Sequence, residues 1–207
     1  MKVIKRILLC IILCIILCCI ALLTVPELRT WLKNVLFNIN YQSVAETISH
    51  ELTETGELVC LEITDTDVLT ASVNAALIPS SVATLTVNYQ YDLSLGVDLS
   101  QAKTEVAGDG IAVYLPPAHV ISDKITAVGD VQKSDFWHLI DETKYQQIMD
   151  KQLLECRSRY ENDQDLLNQA WNKCCDTLKS LLSASIQHSE YIDIRFYSLS
   201  DYEPAQE

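Results

Sequence analysis

One stretch of the chain alternates between apolar and polar residues without a break. From Ala83 to Leu99 the sequence reads ATLTVNYQYDLSLGVDL, and every odd-numbered position is apolar. Because successive side chains of a strand point to opposite faces, this pattern predicts a long strand with one face in the core and one in water. Seventeen extended residues would span about 56 Å, much more than a usual strand, so we expect a bend or bulge at Gly96.

Weaker alternating patterns predict further strands on both sides of this one. They are expected over residues 57–64, 68–78, 103–107, 111–115 and 191–199. The sequence Asp65-Thr66-Asp67 is read as a turn between the first two. Glycines on both sides of Asp109 indicate a tight hairpin, and Pro116-Pro117 ends its second strand because proline cannot donate to a ladder. The last strand is expected to rejoin the sheet.

Apolar residues at helical spacing predict helices before and after the strands. A short helix is expected over residues 43–52, with Ser43 and Glu46 as a capping box. A longer one begins at the N-cap Asp141 and is interrupted or kinked near Asn162. The fold class is therefore α+β: an N-terminal transmembrane helix, then a mostly antiparallel sheet with a long helix or helical hairpin and a C-terminal strand.

The N-terminal transmembrane helix is predicted from residues Ile7 to Val25. These nineteen residues carry no charge, and as a helix they would rise about 28 Å, close to the thickness of a bilayer core. Bulky residues end the run where a signal peptidase would need small ones, so we predict an uncleaved anchor in the lipid bilayer. The three basic residues before the span favour a cytoplasmic N-terminus and an extracytoplasmic domain in the cell envelope.

The chain is accordingly divided into four parts. Residues 1–25 form the signal anchor, 26–55 a juxtamembrane helical segment, 56–199 the α+β domain, and 200–207 a flexible tail. The chain has a net charge of −13, and the part from Pro26 onward contains 12 basic against 28 acidic residues. Such a surface repels phosphate backbones, so no nucleic acid partner is expected.

Two motifs give the chain a resemblance to a known family. They are Gly96-Val97-Asp98-Leu99-Ser100 and Leu115-Pro116-Pro117-Ala118-His119-Val120-Ile121-Ser122. With the hairpin between them and the helical segment after them, they resemble a bacterial family known as domain of unknown function 4230. The resemblance covers roughly residues 57–199 and implies the fold and the topology. It implies no activity, because none is assigned to the family, and so no site residues are carried over.

The residue patterns contain no recognisable active site. The four histidines, at positions 50, 119, 138 and 188, fall in separate segments, and no zinc-binding pair, nucleophile motif or phosphate-binding glycine loop is present. We therefore predict no catalytic, cofactor-binding or metal-binding residues, and no cofactor. His119 and Asp98 are the residues whose surroundings are of most interest, although a structural role is favoured for both.

Four cysteines, at positions 60, 156, 174 and 175, lie in the predicted exterior domain, where disulfides are permitted. Cys174 and Cys175 are adjacent, and their Cα atoms are too close for an unstrained bond. Cys156 cannot reach Cys174 whether the helix is straight or folds back near Asn162. A bond from Cys60 to Cys174 or Cys175 stays open, but buried free thiols are the favoured interpretation.

These observations predict a single-pass membrane protein whose exterior domain is an interaction or scaffold module with an envelope protein partner. Enzymatic activity is left open, with a non-enzyme favoured. One alternative is an envelope hydrolase or small-ligand-binding domain with a loop-built site, for which a deep polar pocket with converging histidines and acids would be the sign. A weaker alternative, suggested by the layout alone, is an oligomeric stomatin-like membrane scaffold. The oligomeric state is not determined by the sequence.

Overall fold

The computed structural model describes residues 40–74, 82–108, 110–134, 139–186 and 192–203. Within these ranges, none of the helices has both the length and the apolar character needed to cross a bilayer. The predicted anchor, Ile7 to Val25, lies outside the described residues.

The described elements form an α+β arrangement, in which one helix is followed by six strands, two helices and a last strand. In chain order they are α1 (Tyr41–Thr55), β1 (Glu57–Asn74), β2 (Val82–Asp98), β3 (Lys103–Ala107), β4 (Gly110–Leu115), β5 (His119–Ala127), β6 (Gln132–Ser134), α2 (Glu142–Glu161), α3 (Gln164–Ser185) and β7 (Asp193–Ser198). Short 3-10 turns follow β2 and β7, at Leu99–Gln101 and Leu199–Asp201.

The strands form two sheets. In the first, β2 lies between β1 and β5, all antiparallel, and β6 pairs with the same edge of β2 as β5, nearer the N-terminal end of β2. In the second, β4 pairs antiparallel with β3 and parallel with β7. The sequence analysis expected the C-terminal strand to rejoin the sheet built on β2. That expectation is wrong, because β7 completes a separate mixed sheet.

The predicted inward face of β2 is the centre of the core. All nine odd-numbered residues from Ala83 to Leu99 are at most 3% exposed. The helices cover them with one apolar face each, for example with Ile48 and Leu52 from α1 and with Leu178 and Leu182 from α3. The predicted core face is thus confirmed, whereas on the opposite face most residues are half-buried and Gly96 is buried.

Gly96 lies where both neighbouring strands bulge toward β2. The register with β1 shifts at Cys60 and the register with β5 shifts at Ile121, each strand placing one extra residue there. A Cβ atom on residue 96 would overlap the carbonyl group of Leu58 and the side chain of Ile121. The expected irregularity at Gly96 is confirmed, although the extra residues belong to its neighbours.

Some predicted element boundaries were wrong, because polar side chains found different partners. The first helix begins earlier than predicted, since its N-cap is Asn40, whose side chain accepts a 3.3 Å hydrogen bond from the Ser43 amide. The predicted turn at residues 65–67 does not exist, and β1 runs straight through it. Asp65 there accepts a hydrogen bond from the hydroxyl of Tyr160 on α2.

The two long helices form the predicted hairpin. Asp141 caps α2 by accepting a 2.7 Å hydrogen bond from the Lys144 amide, as expected. The helix stops at Glu161, and α3 starts after Asp163, which accepts from the Leu166 amide at 3.0 Å. The break near Asn162 is therefore confirmed.

A disulfide joins β1 to α3. Cys60 and Cys174 are bonded, with their Cα atoms 5.2 Å apart. The favoured interpretation of free thiols is wrong for this pair and holds only for Cys156 and Cys175. The bulge lets the consecutive residues Cys60 and Leu61 both turn toward the core. Because the bond closes a loop of 114 residues, chain-entropy arguments give it a stabilising effect of roughly 5 kcal/mol.

We expect Gly96→Ala to lower the free energy of unfolding by about 3 kcal/mol, because the added methyl group has no space between the two bulged strands. The midpoint of urea unfolding measures the change. Ser94→Ala, two residues earlier on the same face, is the control and should stay within about 0.5 kcal/mol of the parent. Equal midpoints for both variants would contradict the close packing at residue 96.

Candidate functional site

A shallow groove lies where the segment after β4, the first half of α3 and the end of β7 meet. Its volume is about 490 Å³. The residues that line it are Pro117, Ala118, Gln164, Leu167, Asn168, Trp171 and Ser198. None of them carries a charge, although the chain as a whole has a net charge of −13. We call this feature the tryptophan groove.

The α3 wall of the groove follows from helical periodicity. Gln164, Asn168 and Trp171 are spaced four and three residues apart, so they share one side of the helix. The adjoining side, with Ala170, Cys174 and Leu178, is buried in the core. The disulfide at Cys174 follows Trp171 by three residues and thus fixes this part of the helix to the sheet.

The polar groups of the α3 wall are available to a ligand. Within the described part of the chain, the side chains of Gln164, Asn168 and Trp171 form no hydrogen bond. Ser198, on the other wall, has its hydroxyl 2.8 Å from that of Ser200. Two amides offer both donors and acceptors, and an indole offers one donor and an apolar ring. Such a set suits an uncharged ligand rich in peptide groups.

Asp98 has a structural role in the family motif. Its carboxylate accepts hydrogen bonds from the amide and hydroxyl of Ser100, at 3.0 and 2.5 Å, and from the side chain of Gln101 at 2.6 Å. These bonds, the Ser100 hydroxyl first, hold the pKa of Asp98 below its usual range. The carboxylate thereby caps the 3-10 turn that ends β2.

His119 is exposed at the start of β5, and it lies opposite Gly96 of the neighbouring strand β2. Neither His119 nor Asp98 lines the tryptophan groove. Of the other histidines, His50 is exposed on α1, where its ring nitrogen is 3.7 Å from the carboxylate of Glu54. His138 and His188 lie outside the described residues. In the part of the chain that is described, no three His, Cys, Asp or Glu side chains are grouped closely enough to hold a metal ion.

A buried polar network fixes α2 to the sheet. The hydroxyl of Tyr89 on β2 accepts a 2.9 Å hydrogen bond from Gln152 and lies 3.7 Å from the sulfur of Cys156. Burial raises the pKa of Tyr89 to about 12, and Cys156 contributes to the rise. One turn further along α2, the ring of Tyr160 stacks on that of Tyr91 with centroids 5.5 Å apart. The network holds α2 in place.

The free thiols are poorly placed for chemistry. Cys156 is buried on the side of α2 that faces the sheet. Cys175 is half-buried, and burial, together with the charge of Asp176, raises its pKa to about 12. Because the thiolate is the reactive form, Cys175 is a weak nucleophile despite its position next to the disulfide.

Sequence analysis did not find the tryptophan groove. Pro117 was assigned only to the end of a strand, and Trp171 was given no role in a site. The available signal was the uncharged side of α3, with two amides and a tryptophan in an acidic chain. That signal does not show which segment lies opposite.

Residues 50–192 match the family model described as protein of unknown function (DUF4230). The chain belongs to this family. The match includes both motifs on which the resemblance was based, and it contains every groove residue except Ser198. No curated protein and no solved structure matches the chain. Membership in DUF4230 therefore supports the fold, while the function has to be argued from the groove itself.

Tyr89→Phe tests the buried network through pH. In the unfolded chain Tyr89 ionises near pH 10, whereas in the folded protein its pKa is about 12. Above pH 10 the unfolded parent therefore binds fewer protons, and its free energy of unfolding falls by up to about 1.4 kcal/mol per pH unit from this group.

At pH 8 the parent should be more stable than Tyr89→Phe by about 1 kcal/mol, because the hydrogen bond from Gln152 is lost. The difference should shrink and reverse between pH 10 and 12, as measured by urea unfolding at each pH. Parallel pH curves for the two proteins would show that the hydroxyl of Tyr89 has no raised pKa.

Proposed function

We propose that this DUF4230 domain is a membrane-tethered interaction module that binds an uncharged segment of an envelope protein in the tryptophan groove. The observation that carries the proposal is the uncharged lining of this groove, which contains the half-buried Trp171, in a strongly acidic chain. Aromatic residues are enriched, and charged residues depleted, at the centres of protein interfaces. The open shape of the groove favours a chain segment over a small molecule, which is usually held in a more enclosed pocket.

The proposed location is outside the cytoplasm. The bond between Cys60 and Cys174 supports it, because disulfides persist in oxidising compartments and are rare in the cytosol. The hydrophobic run from Ile7 to Val25, with basic residues before it, supports an anchor with a cytoplasmic N-terminus. The tether would keep the groove close to the membrane surface and to other envelope proteins.

The location is tested by thiol labelling in intact cells. Asp201 is exposed, so Asp201→Cys should react with a membrane-impermeant maleimide before lysis. Lys2→Cys should react only after lysis. Both variants are made in a chain whose Cys10, Cys14, Cys18, Cys19 and Cys175 are replaced by alanine. The reverse pattern would place the domain in the cytoplasm and overturn the proposal.

The groove is tested with a photoreactive amino acid at residue 168. Asn168 lines the groove, and Asn172, also exposed on α3, does not. We expect crosslinks to one defined protein from position 168 and at least tenfold fewer from position 172. Gln164→Glu should abolish the adduct at 168, because it adds a charge to the groove.

The Gln164→Glu variant should fold normally, since residue 164 is the first of α3 and a carboxylate is favourable at a helix N-terminus. Equal crosslinking from both positions, or an adduct that survives Gln164→Glu, would show that the groove is not the binding surface.

A further inference from the structure

Strand β1 leaves a long, regular edge unpaired. Among the described residues it pairs only with β2. After the bulge at Cys60, its register with β2 continues without a shift to Asn74. The regular edge therefore runs from Glu62 to Asn74, and its central residue is Val68. Edges of this kind are templates for pairing with another strand.

The backbone groups of Val68 point to this outer edge. Val68 lies opposite Asn88 on β2, and the carbonyl of Asn88 accepts a 2.8 Å hydrogen bond from Val128, on the far side of β2. In an antiparallel pair, directly opposite residues either bond each other or both point away. Val68 therefore directs its N–H and C=O outward. Its N–H is bonded at 2.8 Å only to the carboxylate of its neighbour Asp67.

We propose that a second copy of this chain pairs with β1 along this edge, antiparallel and in the register centred on Val68. The two first sheets would then join into one continuous sheet with a twofold axis, in the strand order β5-β2-β1-β1-β2-β5. Val68 is 55% exposed and would pack against its own copy. Thr66 would lie opposite Thr70, and Glu62 opposite Asn74, so that the whole regular edge is used.

The charges on β1 exclude three neighbouring registers but permit this one. Symmetric registers centred on Asp65 or Asp67 place each aspartate opposite its own copy, and a centre at Thr66 places Asp65 opposite Asp67. Like charges directly opposite each other destabilise a strand pair. The centre at Val68 instead places Asp67 opposite Leu69 and Asp65 opposite Ala71, and it leaves no acid facing an acid.

Helix α2 adds charge complementarity to this register. A groove of about 390 Å³ separates residues Leu69 to Val73 of β1 from one side of α2. That side carries Lys144, Ile148, Lys151, Gln152 and Glu155. The aspartates of the second copy would arrive beside this groove, opposite Leu69 and Ala71. Lys151 lies 3.5 Å from the carboxylate of Glu155, so Lys144 gives this side its net positive charge in a chain that is acidic overall.

Disulfide crosslinking of single-cysteine variants tests this register directly. The full chain is purified in detergent with Cys10, Cys14, Cys18, Cys19 and Cys175 replaced by alanine, and it is oxidised mildly. Val68→Cys should give mainly a disulfide-linked dimer, because a directly opposite, bonded pair has Cα atoms about 5.5 Å apart, within the range of a disulfide. Thr66→Cys and Thr70→Cys should each form no disulfide-linked dimer alone, since in the dimer each would be about 13 Å from its own copy.

A mixture of Thr66→Cys and Thr70→Cys should crosslink, because these two residues face each other only in the proposed register. Val68→Asp, at an exposed position, should convert the dimer to a monomer in sedimentation velocity without changing the circular dichroism spectrum. If neither Val68→Cys nor the mixture gave a disulfide-linked dimer, the proposal would be overturned. It would also be overturned if Thr66→Cys alone crosslinked as much as Val68→Cys. Neither result depends on the tryptophan groove.

Discussion

The inward face of β2 is the surface on which the rest of the domain depends. Nine apolar side chains in alternation give the helices one continuous surface to cover, and both neighbouring strands take their register from the same strand. Both β1 and β5 place an extra residue beside Gly96, which leaves room for these two bulges because it has no side chain. The bulge in β1 turns Cys60 inward, and α3 is bonded there. The position of the tryptophan groove thus follows from the pleat of β2.

Much of this fold could be predicted from local pattern, because local pattern determines it. The alternation over residues 83–99, the cap at Asp141 and the break near Asn162 all depend on neighbours in the sequence. The incorrect turn at residues 65–67 has a non-local cause. Asp65 and Asp67 look like turn residues, but they lie in a strand because hydroxyl groups of Tyr160 and Tyr89 reach them from far along the chain. Such distant partners are invisible to a local pattern.

For the same reason the tryptophan groove was missed, and the bond between Cys60 and Cys174 was left as an open alternative that was not favoured. Pro117, Trp171 and Ser198 belong to three segments that meet only through the parallel pairing of β4 with β7 and the packing of α3. Cys60 was assigned to a simple strand, and only the bulge directs it toward α3. The family motifs gave correct topology because Gly96 and Asp98 both serve backbone geometry, Gly96 by its missing side chain and Asp98 by capping a turn.

The bond between Cys60 and Cys174 also determines how the domain would respond to mechanical tension. A force that enters through α1 reaches Cys60 after only four residues of β1. From there the covalent bond carries it to α3, next to Trp171 in the tryptophan groove. Beyond Cys60, the pairing of residues 61–74 of β1 with β2 lies outside that path. A force applied between α1 and α3 would therefore leave this longer part of the strand pair unsheared.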